Sequence, residues 1–147
     1  MERIKILSNE EKSPQDIFGP QKRGYSTTKV LNDILKELND MEWVVSCAVI
    51  RRDGILMASS MSVPISTETK RACAIMGATI VGAAKNITTK YRMGFPKRVI
   101  IQSKEGDIII TEAGNKALLV IMTSIRYNPT LMLEDFNRAA QRIDEVL

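Results

Sequence analysis

The chain contains no histidine, and that absence bounds the chemistry it could perform. Ser-His-Asp triads, Cys-His pairs and imidazole proton transfer are excluded, which leaves carboxylates, Lys and Tyr as conceivable catalytic groups. Cys47 and Cys73 stand singly, one in a strand-like and one in a helix-like segment, with no Cys-x-x-Cys spacing to complete a metal set. They read as two reduced core thiols. Arg51-Arg52-Asp53-Gly54 could touch a phosphate, but one Gly lacks the repeated backbone donors of a phosphate loop, and neither Gly-x-Gly-x-x-Gly nor Gly-Lys-Ser occurs. That stretch reads as a hairpin tip. No catalytic residue, cofactor site or metal ligand is expected, and the chain is read as a non-enzyme.

What the residues do offer is recognition. Between Thr69 and Lys104 there is no acidic side chain, whereas Lys70, Arg71, Lys85, Lys90, Arg92, Lys97, Arg98 and Lys104 are all basic. The net charge of +4 is modest, yet this distribution gives one side a positive field that suits an acidic protein surface, anionic lipid or nucleic acid. Lys70, Arg71, Lys85, Arg92 and Arg98 are the candidate partner-binding residues. Tyr91 and Phe95 are the sole aromatics of the run, which argues against a stacking platform for single-stranded nucleic acid.

The same run holds ACAIMGATIVGAA, Ala72 to Ala84, without a charge. At about 100° per residue, Ala72, Met76, Ile80, Ala83 and Ile87 form the bulkier stripe, expected to lie on a sheet. Ala74, Ala78 and Gly82 fall opposite, flanked by Ile75 and Val81. Small residues spaced by four let another backbone come close, so this outward side is expected to meet the same helix of a second subunit; burial all round within one domain is the alternative. A membrane span would need about 18 or more apolar residues, and the sequence argues against membrane association except through a partner.

These residues need elements to hold them. A length of 147 residues with 44% hydrophobic and 26% charged side chains fits one domain plus a tail. Residues 1–25 read as an extended or disordered tail, with Ile4 to Leu7 as an optional strand, and 26–147 as the domain. The charged N-terminal stretch MERIKILSNEEK is no secretory signal, which points to the cytoplasm. Ser26, Thr27 or Thr28 caps a first helix carrying Val30, Leu31, Ile34, Leu35 and Leu38 to about Asp40. Trp43 to Ile50 and Ile55 to Ser60 read as a hairpin around Asp53-Gly54. Ser66 or Thr67 caps the long middle helix, which ends near Arg92. Lys97 to Ser103, Asp107 to Glu112 and Lys116 to Thr123 form a meander, and Asn128-Pro129 opens a helix with Leu133, Phe136, Ala140 and Ile143 on one face.

The strands are apolar on both sides, yet their short connections permit only antiparallel neighbours, so the sheet must be covered on both faces. The expected fold is α/β in the α+β sense: a three-layer sandwich of order α-ββ-α-βββ-α. A five-stranded antiparallel sheet carries the middle helix on one face and the terminal helices on the other.

That order, with the stretches VVSCAVIRRDGILMASS, RVIIQSKEGDIIITEAGNKALLVIM and NPTLMLEDFNRAAQRI, resembles the Roadblock family of dynein light chains and small-GTPase regulators, most closely its free-standing archaeal and bacterial members. The resemblance covers residues 28–147. It implies a profilin-like fold and a homodimer, or a heterodimer with a related chain, in which middle helices pack together and sheets join at their edges. Here that places Ala74, Ala78, Val81 and Gly82 at the helix pair and brings the strand of Val99 and Ile101 against its copy. It further implies a scaffold or regulator that binds a small Ras-like GTPase and can modulate its activity without being a catalyst. A nucleic-acid-binding homodimer using the basic 70–104 surface is the alternative function, disfavoured by the scarcity of aromatics.

Overall fold

The computed structural model describes residues 20–125 and 128–147. The chain divides into two units, Met1–Val30 and Leu31–Leu147, and the sheet belongs to the second. Along the chain run α1 (Pro20–Asn39), β1 (Val44–Arg51), β2 (Leu56–Met61), α2 (Thr67–Lys90), β3 (Arg98–Ser103), β4 (Gly106–Ala113), β5 (Ala117–Ser124) and α3 (Pro129–Val146). The order α-ββ-α-βββ-α is the expected one. Helix α1, however, starts at Pro20 and continues through the cap expected at Ser26 to Thr28. Proline suits a first helical turn, where its missing N–H has no partner anyway, and residues 20–29 carry no apolar period that would have marked them as helix. The rest of the expected tail, residues 1–19 with its optional strand Ile4 to Leu7, lies outside the described residues.

All five strands form one sheet in the order β2-β1-β5-β4-β3, with every pairing antiparallel. The β1–β2 hairpin closes where expected. Arg51 N–H donates to the Ile55 carbonyl at 2.7 Å and Gly54 N–H to the Arg51 carbonyl at 2.9 Å. Gly54 has φ +95°, and a Cβ there would lie 3.2 Å from the Ile75 Cα of α2, so both conformation and space demand glycine. The Arg51 guanidinium grips Asp53 at 2.6 and 3.1 Å; that hydrogen bond holds the Asp53 carboxyl below its ordinary range. Half-buried Arg52 donates to Glu112 at 2.7 Å and to the Gly114 carbonyl at 2.8 Å, tying the hairpin tip to the β4–β5 turn.

On one face of the sheet α1, from Leu31 onward, and α3 bury Leu31, Ile34, Leu35, Leu38, Val49, Ile109, Leu119, Ile121, Phe136 and Ile143. Full burial of each such side chain is worth about 1.5–3 kcal/mol before entropy is counted. The Cys47 thiol donates to the Leu35 carbonyl at 3.2 Å, and burial pushes its pKa up to about 12. Cys73, expected in the core beside it, is exposed on α2.

Helix α2 covers the other face, capped as expected by Ser66, whose hydroxyl accepts from Thr69 N–H at 3.1 Å. Its orientation reverses the expectation. Ala74, Gly77 and Val81 are the buried residues; they pack with Ala78 against Ile50, Ile110, Leu118 and half-buried Val99. The bulkier stripe of Ala72, Met76, Ile80, Ala83 and Ile87 faces outward. Close approach is the reason: the sheet already supplies long Ile and Leu side chains, and a Cβ on Gly77 would sit 3.3 Å from Ile50 Cδ1. The helix axis can settle there only if its own side chains are small. Ala74 and Val81 are therefore core residues covered by this chain's own sheet, and Ala78 is half-buried beside them.

The C-terminus of α2 closes with Arg92 N–H donating to the Thr89 carbonyl at 3.0 Å and Met93 N–H to the Thr88 carbonyl at 2.8 Å. This is a Schellman cap with Arg92 in the left-handed region at φ 58°. Glycine usually occupies that position, and a side chain there costs about 1–2 kcal/mol.

Candidate interaction surface

The exposed surface that stands out is the outer face of α2. Ile75 is 58% exposed, Ile87 59% and Met76 54%, with Ile80 beside them at 36%, and no charged residue lies between Arg71 and Lys85. Gly82 sits on the flank of this face; a Cβ there would meet nothing within 4 Å. An uncharged helical face with several large aliphatic side chains in water is the mark of a surface built for another molecule.

Strand β3 adjoins it. Among the described residues it is an edge strand, hydrogen-bonded only to β4, with Val99 opposite Ile110, Ile100 opposite Ile109 and Ile101 opposite Ile108. Val99 is half-buried against the α2 core, Ile101 is half-buried, and Ile100 is exposed on the opposite face. A short apolar edge with a free row of backbone donors and acceptors pairs readily with another strand. Of the six interface residues expected, then, Gly82 lies open beside the outer face, Val99 and Ile101 lie on the free edge, and Ala74, Ala78 and Val81 lie beneath α2. Of the aliphatics exposed there, Met76, Ile80 and Ile87 were legible as a stripe whose facing was missed, and Ile75 was expected to flank the contact side.

The five candidate basic residues do not gather at one point. Lys70 is half-buried beside an apolar recess of about 110 Å³ between α2 and β1–β2, lined by Ile50, Leu56, Met61, Cys73 and Met122 among others. Arg71 is exposed on the first turns of α2. The Lys85 ammonium stands over the Phe95 ring at 4.4 Å from its centre, and Arg92 is exposed at the α2 cap. Arg98 turns to the other face of the sheet, where its guanidinium donates to Asn137 of α3 at 2.9 Å. Acid-free sequence thus becomes a scattered positive field rather than one basic groove, because the helix-to-strand turn sends Arg98 to the opposite layer.

Neither region assembles a reacting constellation. The recess offers Lys70, Thr69 and Ser46 as its polar side chains beside the thiol of Cys73. Among the described residues, no group of three or more His, Cys, Asp or Glu could hold a metal ion, and no helix is long and apolar enough to cross a membrane.

The comparisons with known proteins agree with this architecture. A relative from Methanocaldococcus jannaschii, itself uncharacterised, is 27% identical over 114 residues, covering 78% of this chain and 96% of its own length. Among solved structures, the gliding protein MglB of Thermus thermophilus superposes with a TM-score of 0.74 at 17% identity, over 82% of this chain and 90% of MglB. Acanthamoeba castellanii profilin IA superposes with a TM-score of 0.55 at 14% identity, over 80% of this chain and 96% of profilin. At such identities the two structures speak for the fold alone, which is profilin-like as expected. The family model described as the Roadblock/LC7 domain matches residues 30–123, from within α1 to the end of β5, and with that match across most of the sheet and all of α2, the chain belongs to the Roadblock/LC7 family.

Proposed function

We propose that this chain, through residues 26–147, is a dimeric, non-catalytic regulator or scaffold that binds a small Ras-like GTPase in the cytoplasm. The observation that carries the reading is the outer face of α2, uncharged and aliphatic in a chain of the Roadblock/LC7 family. Two such faces packed about a two-fold axis bury each other's Ile75, Met76, Ile80 and Ile87, and two β3 edges pair to continue the sheet. A related chain with the same face serves equally in a heterodimer.

On this reading the GTPase docks beside the paired helices, where Lys70, Arg71, Lys85 and Arg92 supply positive charge to an acidic partner. Among the described residues, Arg92 and Arg71 are exposed and placed to reach a partner's nucleotide site, whereas Arg98 is held by Asn137. The modulation proposed is of the GTPase's own activity, by positioning its groups or by lending an arginine. A capture experiment tests this. The tagged chain, incubated with extract of its native cells loaded with GDP or with a GTP analogue, is expected to retain a small GTPase in one nucleotide state only. Retention of nucleic acid instead, lost steeply as salt rises, would replace the reading with its alternative.

A further inference from the structure

Between α2 and β3 the chain runs Tyr91-Arg92-Met93-Gly94-Phe95-Pro96-Lys97. Tyr91 at 75% and Met93 at 74% are the most exposed large apolar side chains among the described residues, and Phe95 is 64% exposed. This loop is not slack. The carbonyls of Thr88 and Thr89 close its first turn, Arg92 and Gly94 both take left-handed backbone conformations, and the Lys85 ammonium pins the Phe95 ring. Three apolar side chains are thus held out in water by a defined backbone. Every charged residue along the sequence around them, Lys85, Lys90, Arg92 and Lys97, is basic, and the nearest acids in sequence are Glu68 and Glu105.

A protein partner would have to offer a pocket shaped for these side chains, next to the α2 face and β3 edge that the proposed dimer already uses. A lipid surface needs no such pocket. Aromatic rings settle at the headgroup level, an aliphatic or thioether side chain reaches the acyl boundary, and Lys and Arg meet the anionic headgroups. We propose that the α2–β3 loop is a peripheral docking element for an anionic lipid surface, inserting Tyr91, Met93 and Phe95 while Lys85, Lys90, Arg92 and Lys97 lie against lipid phosphates. The proposal does not depend on a GTPase partner. It also differs from the expectation drawn from sequence, which allowed a membrane only through another protein: periodicity showed no amphipathic anchor, because the loop's exposure arises from how α2 ends.

The full chain would be sedimented with vesicles of phosphatidylcholine alone and of phosphatidylcholine mixed with phosphatidylglycerol. Binding is expected on the mixed vesicles, weakening as salt rises and absent on the neutral ones. Met93→Ser with Phe95→Ser is expected to lower the affinity about tenfold, and Lys90→Glu with Lys97→Glu to abolish binding. A separate variant, Met93→Trp, reports insertion directly through an emission shift to shorter wavelength that appears only with mixed vesicles. No binding of the wild type at low salt, equal binding to neutral vesicles, or no emission shift for Met93→Trp would overturn the proposal. So would a Met93→Ser, Phe95→Ser chain that stays folded but changes its oligomeric state and keeps its vesicle affinity, since the loop would then be a contact between subunits.

Discussion

Gly77 and Gly82 share one helix and differ in what lies above them. A Cβ on Gly77 would press against Ile50 and approach Ile110, whereas at Gly82 it would enter open space. Gly77→Leu is expected to destabilise the fold by about 1–3 kcal/mol through overpacking, and Gly82→Ala to stabilise it by up to about 1 kcal/mol through helix propensity. Urea unfolding, at a concentration low enough to keep chains apart, checks both; equal effects at the two positions would contradict the facing of α2. The two cysteines divide along the same lines. Cys47, buried and hydrogen-bonded to Leu35, keeps its proton at any working pH, while Cys73 looks outward.

At the scale of elements, α1 and α3 are joined across their exposed edges by Glu37 and Arg142 at 3.0 Å. The Arg142 hydrogen bond, and then its charge, holds the Glu37 carboxyl below its ordinary value. A carboxyl lowered in the folded state adds stability above the unfolded-chain value and loses it as pH falls through the folded value. The difference in Tm between wild type and Arg142→Ala is therefore expected to be small at neutral pH, as for any exposed pair, and to close as pH drops below the usual glutamate range. A difference that persists unchanged into acid would mean that Arg142 acts through packing alone. Within α3, Arg138 bonds Asp135 and lies 3.7 Å from Glu134 one turn away.

For the whole molecule, the proposed dimer rests on the outer face of α2. Met76→Glu puts a charge at the centre of that face without touching the sheet below and is expected to shift the chain from dimer to monomer at micromolar concentration by sedimentation. Gly82→Arg, on its flank, is expected to do the same. A wild type already monomeric under those conditions would remove the basis of the dimer.

Much of this was readable in the order of residues. Apolar and β-branched runs with turn chemistry located the hairpin at Asp53-Gly54 and the three-strand meander, and Ser66 and Pro129 marked the starts of α2 and α3. Short connections between doubly apolar strands required an antiparallel sheet with helices on both faces, because backbone hydrogen bonding and the burial of apolar surface act locally and leave a period in the sequence. Three things waited for the tertiary structure. Pairing of β1 with β5 joins segments far apart in the chain that carry no mutual signal, and the edge position of β3 was implied by the family resemblance alone. Which side of α2 faces inward depended on how closely its axis could approach Ile50, Ile110 and Leu118: both sides of that helix are apolar, so periodicity had no charge to orient it. The exposure of Tyr91, Met93 and Phe95 came from the cap that ends α2, a three-dimensional closure that composition does not record.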